Sequence, residues 1–175
     1  MKLKVGNLIV CRILVDTGSS SDIISLSCLQ NLKFNENNLE QVSHPLVGFG
    51  GGVINPIWRI DLLVRIGDKK KCKSLVVQFL FLKDLTAYNN VIGRPTLNAI
   101  KAVIVPALML IKFVCEDGSV DTLYGDQQTA RDCYLTVVKP TSTPPELINV
   151  DKPEMSEADQ KTKVVTGNRP MKQIK

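Results

Sequence analysis

The chain has 175 residues, 44% of them hydrophobic, and carries 22 Lys and Arg against 17 Asp and Glu, a formal net charge of +5. That length holds one domain with a real core plus a tail. No apolar run reaches membrane-spanning length and the first residues lack a signal-peptide core, so no membrane partner is expected. The charge excess is spread out: residues 1–138 hold 15 basic against 12 acidic side chains, and 139–175 hold 7 against 5. A nucleic-acid partner is not expected from so even a balance.

Leu3-Lys4-Val5, then Gly6-Asn7, then Leu8 to Val15 predict a strand, a tight turn and a second strand. The second strand runs into Asp16-Thr17-Gly18-Ser19-Ser20, where an apolar run stops at a lone carboxylate and a glycine permits a sharp turn. Two readings stand side by side. A carboxylate carried out of a core strand is well held for chemistry; in an Asx turn, Asp16 would only accept from the backbone amides that follow it. Asp22, Ile23, Ile24, Leu26 and Leu29 predict a strand or short helical turn behind this loop. Phe34 to Ser43 is polar and predicts a surface loop, with His44 beside Pro45 facing solvent.

Leu46 to Ile54 places Gly48, Gly50, Gly51 and Gly52 between apolar arms, which predicts a β-hairpin with a mobile tip. It is not a phosphate cradle, because neither the P-loop spacing nor a following helix is present. Ile60–Gly67 and Leu75–Leu82 are the clearest strands, joined by a charged turn over Asp68–Lys73. Tyr88-Asn89-Asn90 leads into Val91-Ile92-Gly93, and Pro95 is placed to open a helix running to about Ala102. Val103 to Val114 returns to strand character, interrupted at Pro106. Glu116 to Ser119 predicts a hairpin turn, Val120 to Tyr124 its return strand, and Gly125 to about Val138 a short helix through Ala130, Cys133 and Leu135. From residue 139 five prolines interleave with polar and charged residues, so 139–175 is expected to be a disordered linker after a domain over 1–138.

The five cysteines (Cys11, Cys28, Cys72, Cys115 and Cys133) are odd in number and widely spaced, with no Cys-x-x-Cys pair. With His44 the only histidine, no metal site is expected. Reduced thiols of this kind point to an intracellular, cytoplasmic setting.

Four blocks carry a resemblance: Ile13 to Ser20 with Asp22 to Leu26, Pro45 to Gly50, Tyr88 to Ala99, and Tyr124 to Gln128. In this order they resemble the retropepsin-like aspartic proteases encoded in gypsy-type retrotransposon polyproteins of plants, over most of the chain from Leu3 to about Lys139. The resemblance implies an all-β fold, a closed β-barrel of the acid-protease type with one short helix and one lobe per chain. It implies Asp16 as the catalytic carboxylate of an endopeptidase, Thr17 as the tie between two active-site loops, and Gly18 lining the substrate cleft. Ser19 would donate to the outer carboxylate oxygen. Val47, Gly48, Phe49, Gly50, Gly51 and Gly52 would form a flap over a polypeptide substrate, the polyprotein itself, and Ile92, Gly93 and Arg94 a second, structural motif. No cofactor is implied. The chain departs from the pattern in three ways. Relatives carry a further short strand ahead of the position of Leu3, and a small residue in place of Trp58. In retroviral relatives the arginine after the second-motif glycine pairs with an aspartate close behind the catalytic triplet, where this chain has Ser20, with Asp22 the nearest acid.

Hydrolysis of a peptide by carboxylates takes two of them sharing one proton, one as general base on water and one as general acid to the carbonyl oxygen. One Asp-Thr-Gly in a chain too short for two lobes predicts a homodimer with Asp16 of each copy at the two-fold axis. Two other classes remain in view. A decayed copy would keep the fold and act only in peptide binding or dimerisation, as Trp58 and the short N-terminus suggest. A nucleic-acid-binding polyprotein fragment is disfavoured by the scarcity of aromatic residues beside Lys and Arg.

Overall fold

A computed structural model describes residues 1–48, 51–83, 85, 87–138 and, as backbone, 150–151. Leu3–Val5 (β1) and Leu8–Val10 (β2) form the expected tight hairpin, with Leu3 opposite Val10. The second predicted strand is broken. Arg12 takes a left-handed φ of +54°, and Ile13–Val15 (β3) starts in a new direction. The break lets β2 pair antiparallel with β1 while β3 joins another strand in parallel, which one straight strand cannot do. Buried Asn89 bridges it: its Nδ2 donates to the Cys11 carbonyl at 3.0 Å and its backbone N–H to the Arg12 carbonyl at 3.0 Å.

Asp22–Ser25 (β4) runs straight into the helix Leu26–Asn31 (α1), so the strand and the helical turn are both present. Ser25 caps α1 by accepting from the Cys28 N–H at 3.2 Å. Cys28 and Leu29 face the core, and burial pushes the Cys28 thiol up to about 12. The expected loop over 34–43 contains a single 3₁₀ turn and Glu40–Gln41 (β5). His44 is exposed, with Nδ1 2.9 Å from the Ser43 hydroxyl. Leu46–Val47 (β6) and Val53–Ile54 (β7) pair antiparallel as a hairpin that joins no other strand among the described residues.

Trp58–Gly67 (β8) and Cys72–Leu82 (β9) form the longest ladder. Strict alternation buries Ile60, Leu62, Val64 and Ile66 on one strand and Val77, Phe79 and Phe81 on the other. The turn between them is shorter than expected, because Cys72 and Lys73 already belong to β9. Gly67 makes it possible: its φ is +93°, and a Cβ there would overlap the Lys71 carbonyl and sit 2.8 Å from Phe113.

Asn90–Ile92 (β10) leads through Gly93 into Arg94–Ala99 (α2). Pro95 is the second residue of this helix, not the first, and the helix stops at Ala99, before Lys101 takes a φ of +53°. Val103–Val105 (β11), Leu110–Val114 (β12) and Val120–Tyr124 (β13) make a separate three-stranded sheet, with a 3₁₀ turn over Pro106–Leu108. Gln127–Val138 (α3) begins where the Asp126 carboxylate accepts from the Thr129 N–H at 2.9 Å. Val150–Asp151 (β14) pairs with β2. The rest of the segment expected to be a linker lies outside the described residues.

The main sheet has nine strands in the order β14-β2-β1-β8-β9-β4-β10-β3, with β5 on β8, and curls into a nearly closed barrel around one apolar core. The protein is therefore mostly β. The expectation of one short helix falls short: the described residues hold three α-helices, and α3 runs for twelve residues. Residues 126–138 turn helical because Asp126 caps the first turn, and Cys133 on the inner face is buried.

Asn90 sits in the middle of this barrel with its side chain fully enclosed and neither amide atom hydrogen-bonded among the described residues. Its neighbours across both ladders are Ile13 and Ile24. An unpaired buried amide costs about 1–3 kcal/mol. Asn90→Val is therefore expected to stabilise the protein by a similar amount in urea unfolding. A loss of stability would mean that this amide has a partner, such as an enclosed water.

Candidate functional site

The Asp16 turn is built from the pairing around β10. On one side β3 lies parallel to it, with Ile13, Leu14 and Val15 beside Asn90, Val91 and Ile92. On the other side β4 returns antiparallel, so β10 runs between two strands joined by the loop over residues 16–21. The ladder continues one bond beyond β3, where the Asp16 N–H donates to the Ile92 carbonyl at 3.0 Å. The loop then crosses the exit of β10, and the Arg94 N–H donates to the Ser19 carbonyl at 3.0 Å.

Gly93 is where the two segments touch. A Cβ at this position would overlap the Ser21 carbonyl oxygen and approach the Ser19 carbonyl to 3.0 Å. Both neighbours are backbone atoms that cannot swing aside, so no larger residue fits without displacing the loop.

Within the turn, Asp16 is half-buried, and its Oδ1 accepts from the Gly18 N–H at 2.8 Å. The Ser19 N–H closes the turn on the Asp16 carbonyl at 3.3 Å. The Asx turn is thus present, and it holds the carboxylate on a turn whose Thr17 and Gly18 face solvent. Ser19 does not reach Asp16 as expected: its hydroxyl donates to the Ser21 carbonyl at 2.6 Å. Arg94 is exposed, and its guanidinium donates to the Gly18 carbonyl at 3.4 Å, with no aspartate paired to it among the described residues.

The acid behind the loop has a different task. Asp22 is buried, with Oδ1 accepting from the Gly93 N–H at 2.7 Å and Oδ2 from the Thr96 hydroxyl at 2.9 Å. It ties β4 to the junction of β10 and α2, so the loop is pinned at both ends. Burial pushes its carboxyl above the ordinary value, and the bonds from Gly93 and Thr96 pull partly back. This clamp was missed in the sequence. Asp22 was visible only as a nearby acid, and no spacing rule pairs it with a threonine 74 positions away.

Of the flap residues, Phe49 and Gly50 lie outside the described residues. Val47 and Gly48 lead into the tip, where the Gly48 N–H donates to the Gly52 carbonyl at 2.8 Å and the Gly51 N–H to the Gly48 carbonyl at 2.9 Å. Val47 and Val53 are exposed by 69% and 60%, leaving the hairpin's apolar faces uncovered. Trp58 stands at the start of β8 opposite Gln41 and Phe81 and packs half-buried on the core.

Beneath the turn, Thr17 borders a cavity of about 320 Å³ between β3, the three-stranded sheet and α3. Its wall is largely apolar, with Leu14, Ile104, Leu110 and Leu123 among the lining residues. Among the described residues no group of three His, Cys, Asp or Glu side chains could hold a metal, and no helix is long and apolar enough to cross a membrane. No protein-family model matches the chain, and no curated protein matches it.

The Asp22 clamp has a pH signature. Because the folded state raises this pKa, it binds the proton better than the unfolded chain does. The stabilisation is full below the unfolded value near 3.9 and is lost as pH rises through the folded value. Asp22→Asn removes that dependence. Its stability relative to wild type is expected to shift in the variant's favour between pH 4 and pH 7, while Asp22→Ala costs about 1–3 kcal/mol at both by leaving two donors unpaired. Urea unfolding at the two pH values measures this; a gap that moves the other way would mean Asp22 is held as a stabilised anion.

Proposed function

We propose that the chain is one half of a homodimeric aspartic endopeptidase that hydrolyses peptide bonds in an extended polypeptide, with Asp16 of each copy forming the catalytic pair. The observation that carries this reading is the pinned turn. A half-buried carboxylate projects from a core strand onto a loop locked by Gly93, Arg94 and the Asp22 clamp. Catalysis by a positioned carboxylate needs such rigidity, since small errors in placement cost large factors in rate. The sequence blocks that resemble retropepsin-like proteases coincide with the parts of this lock: Asp16 to Ser19 on one segment, Ile92 to Arg94 on the other.

In the paired site, two carboxylates close together share one proton, and their apparent pKa values belong to the pair. The ionised member takes a proton from water as it attacks the scissile carbonyl, while the protonated member hydrogen-bonds the carbonyl oxygen. The Gly18 N–H steadies Oδ1 of each carboxylate. The glycine-rich hairpin, with exposed valines on both arms, closes over the peptide, and its backbone amides bond the substrate strand.

A second reading has one observation in its favour. The Ser19 hydroxyl is bound to the Ser21 carbonyl and Asp16 is engaged in an Asx turn, an arrangement that a non-catalytic peptide-binding or dimerisation module would also keep.

Asp16→Asn separates the two. It is nearly isosteric and should leave unfolding unchanged while lowering cleavage of an unfolded protein substrate by about 10³-fold or more. When Asp16→Asn chains are co-refolded with an equal amount of wild type, roughly a quarter of the dimers should retain both carboxylates. Activity proportional to the wild-type chains would exclude a composite site, and wild-type activity in Asp16→Asn would exclude Asp16.

Closure of the hairpin has its own readout. A peptide-like inhibitor should slow amide exchange at Gly51 and Gly52 more than in the Asp68–Lys71 turn. Equal protection in both places would mark an ordinary surface hairpin.

A further inference from the structure

One row on the outer face of the main sheet carries charge that nothing in the barrel cancels. Lys4 on β1 stands directly opposite Arg65 on β8. Alternation turns both outward, because Val5 and Val64 beside them are fully buried. Like charges that face each other across a ladder oppose its pairing. Arg65 donates to the Lys69 carbonyl at 3.2 Å, and among the described residues neither cation meets a carboxylate. The exposed turn after β8 adds Lys69, Lys70 and Lys71, with Asp68 the acid inside it. Neighbouring acids are engaged: Asp61 accepts from the Gln78 amide at 3.3 Å and Glu116 from the Ser74 N–H at 2.9 Å. Asp117 accepts from the Ser119 hydroxyl and N–H, and its charge reaches Lys71.

An apolar pair adjoins this row. Leu63 and Val76 oppose each other on the same face, two residues from Arg65 and Ser74, and are exposed by 58% and 66%. A cover for such a surface brings negative charge and an apolar group together. The chain itself carries that combination to the spot. In β14, Asp151 is opposite Ile9, which is in turn opposite Lys4, so the chain leaves the described sheet in the row of the two cations. Pro153-Glu154-Met155-Ser156-Glu157-Ala158-Asp159-Gln160 then holds three acids and no base. β8 lies three strands from β14, about 14 Å away at the usual strand spacing. An extended chain gains about 3.3 Å per residue, so Glu157 reaches about 20 Å from Asp151.

We propose that residues 153–160 of this chain fold back across the outer face of the barrel, setting Glu154, Glu157 and Asp159 against Lys4, Arg65 and the lysine turn. Met155, between the first two acids, is the apolar group for Leu63 and Val76. The contact is intramolecular, so a weak attraction suffices: β14 already holds the segment close, and its effective concentration at the row is high. The docked segment cancels the repulsion between Lys4 and Arg65 and screens the row from other polyanions. The inference is independent of Asp16 and stands whether or not the chain cleaves peptides.

The heteronuclear ¹⁵N NOE of the full chain tests this, read at the amides of Met155, Ser156 and Ala158. In wild type at low salt the values should approach those of the barrel strands. Lys4→Glu with Arg65→Glu, both on the outer face and so compatible with folding, should drop them to free-chain values. So should Glu154→Gln with Glu157→Gln and Asp159→Asn, a variant that changes no residue of the barrel, and so should salt near 0.5 M. Adding Glu154→Lys and Glu157→Lys to the Lys4→Glu, Arg65→Glu chain should restore the wild-type values, since the charges are then exchanged. Free-chain values in wild type at low salt, values that the Lys4 and Arg65 reversal leaves unchanged, or a swap that restores nothing would each overturn the proposal. A second readout asks what else the row can hold. Single-stranded DNA of about 20 nucleotides, or phosphatidylserine vesicles, should bind the neutralised-tail variant at least tenfold more tightly than wild type. Equal binding to both would give the row to an outside polyanion and overturn the proposal.

Discussion

A buried carboxylate that accepts from one backbone amide and one hydroxyl holds the rest of this structure in place. Asp22 binds the Gly93 N–H and the Thr96 hydroxyl, and so joins the strand after the Asp16 turn to the helix after β10. An ionisable group at 1% exposure is costly to bury, and is tolerated where its oxygens are satisfied. With Asp22 satisfied, β10 is fixed between β3 and β4, Gly93 is pressed against Ser19 and Ser21, and the turn has nowhere to drift. Without this clamp the loop over residues 16–21 would be tied to the β10–α2 segment, among the described residues, by the ladder bond at Asp16 and the bonds from the Arg94 N–H and guanidinium.

The barrel around this junction explains why the turn can be rigid while its neighbours are not. Its core is built from strictly alternating strands, β8 and β9 above all, whose buried side chains form a single cluster. Such packing opens only with the whole domain. Among the described residues the β6–β7 hairpin pairs with no other strand and exposes its valines, so little buried apolar area resists its movement. Stiff turn and loose hairpin are both consequences of where apolar area is buried.

The three-stranded sheet and α3 are the least self-sufficient part of the molecule. They enclose a cavity beside the Asp16 turn and leave an apolar turn at the surface. Tight packing would have filled the one and polar residues would have covered the other. The cavity is bordered by β3, the strand that carries Asp16, and by Pro106 and Met109 of the apolar turn.

Periodicity and turn chemistry were enough to place the hairpin β1–β2, the long strands β8 and β9, the glycine-rich hairpin, the helix after Gly93 and the strands on either side of Ser119. These depend on alternation and on Gly or Pro at particular positions, which are local properties of the chain. The order Asp16-Thr17-Gly18 at the end of an apolar strand also marked the site. The helix from Gly125 to about Val138 was read within two residues of α3, whereas the break at Arg12 and the Asp22–Thr96 clamp were not legible. Arg12 turns because two different strands compete for its flanks, and Asp22 is satisfied by residues more than seventy positions away. The sequence by itself determined most of the strands and the place where a lone carboxylate, Asp16, ends one of them on a glycine turn, because those follow from neighbours along the chain. Only the tertiary structure decided that Ser19 turns to Ser21, that Asp22 locks Gly93, and that an apolar turn stands beside an apolar cavity, because those contacts exist only once distant segments have packed together.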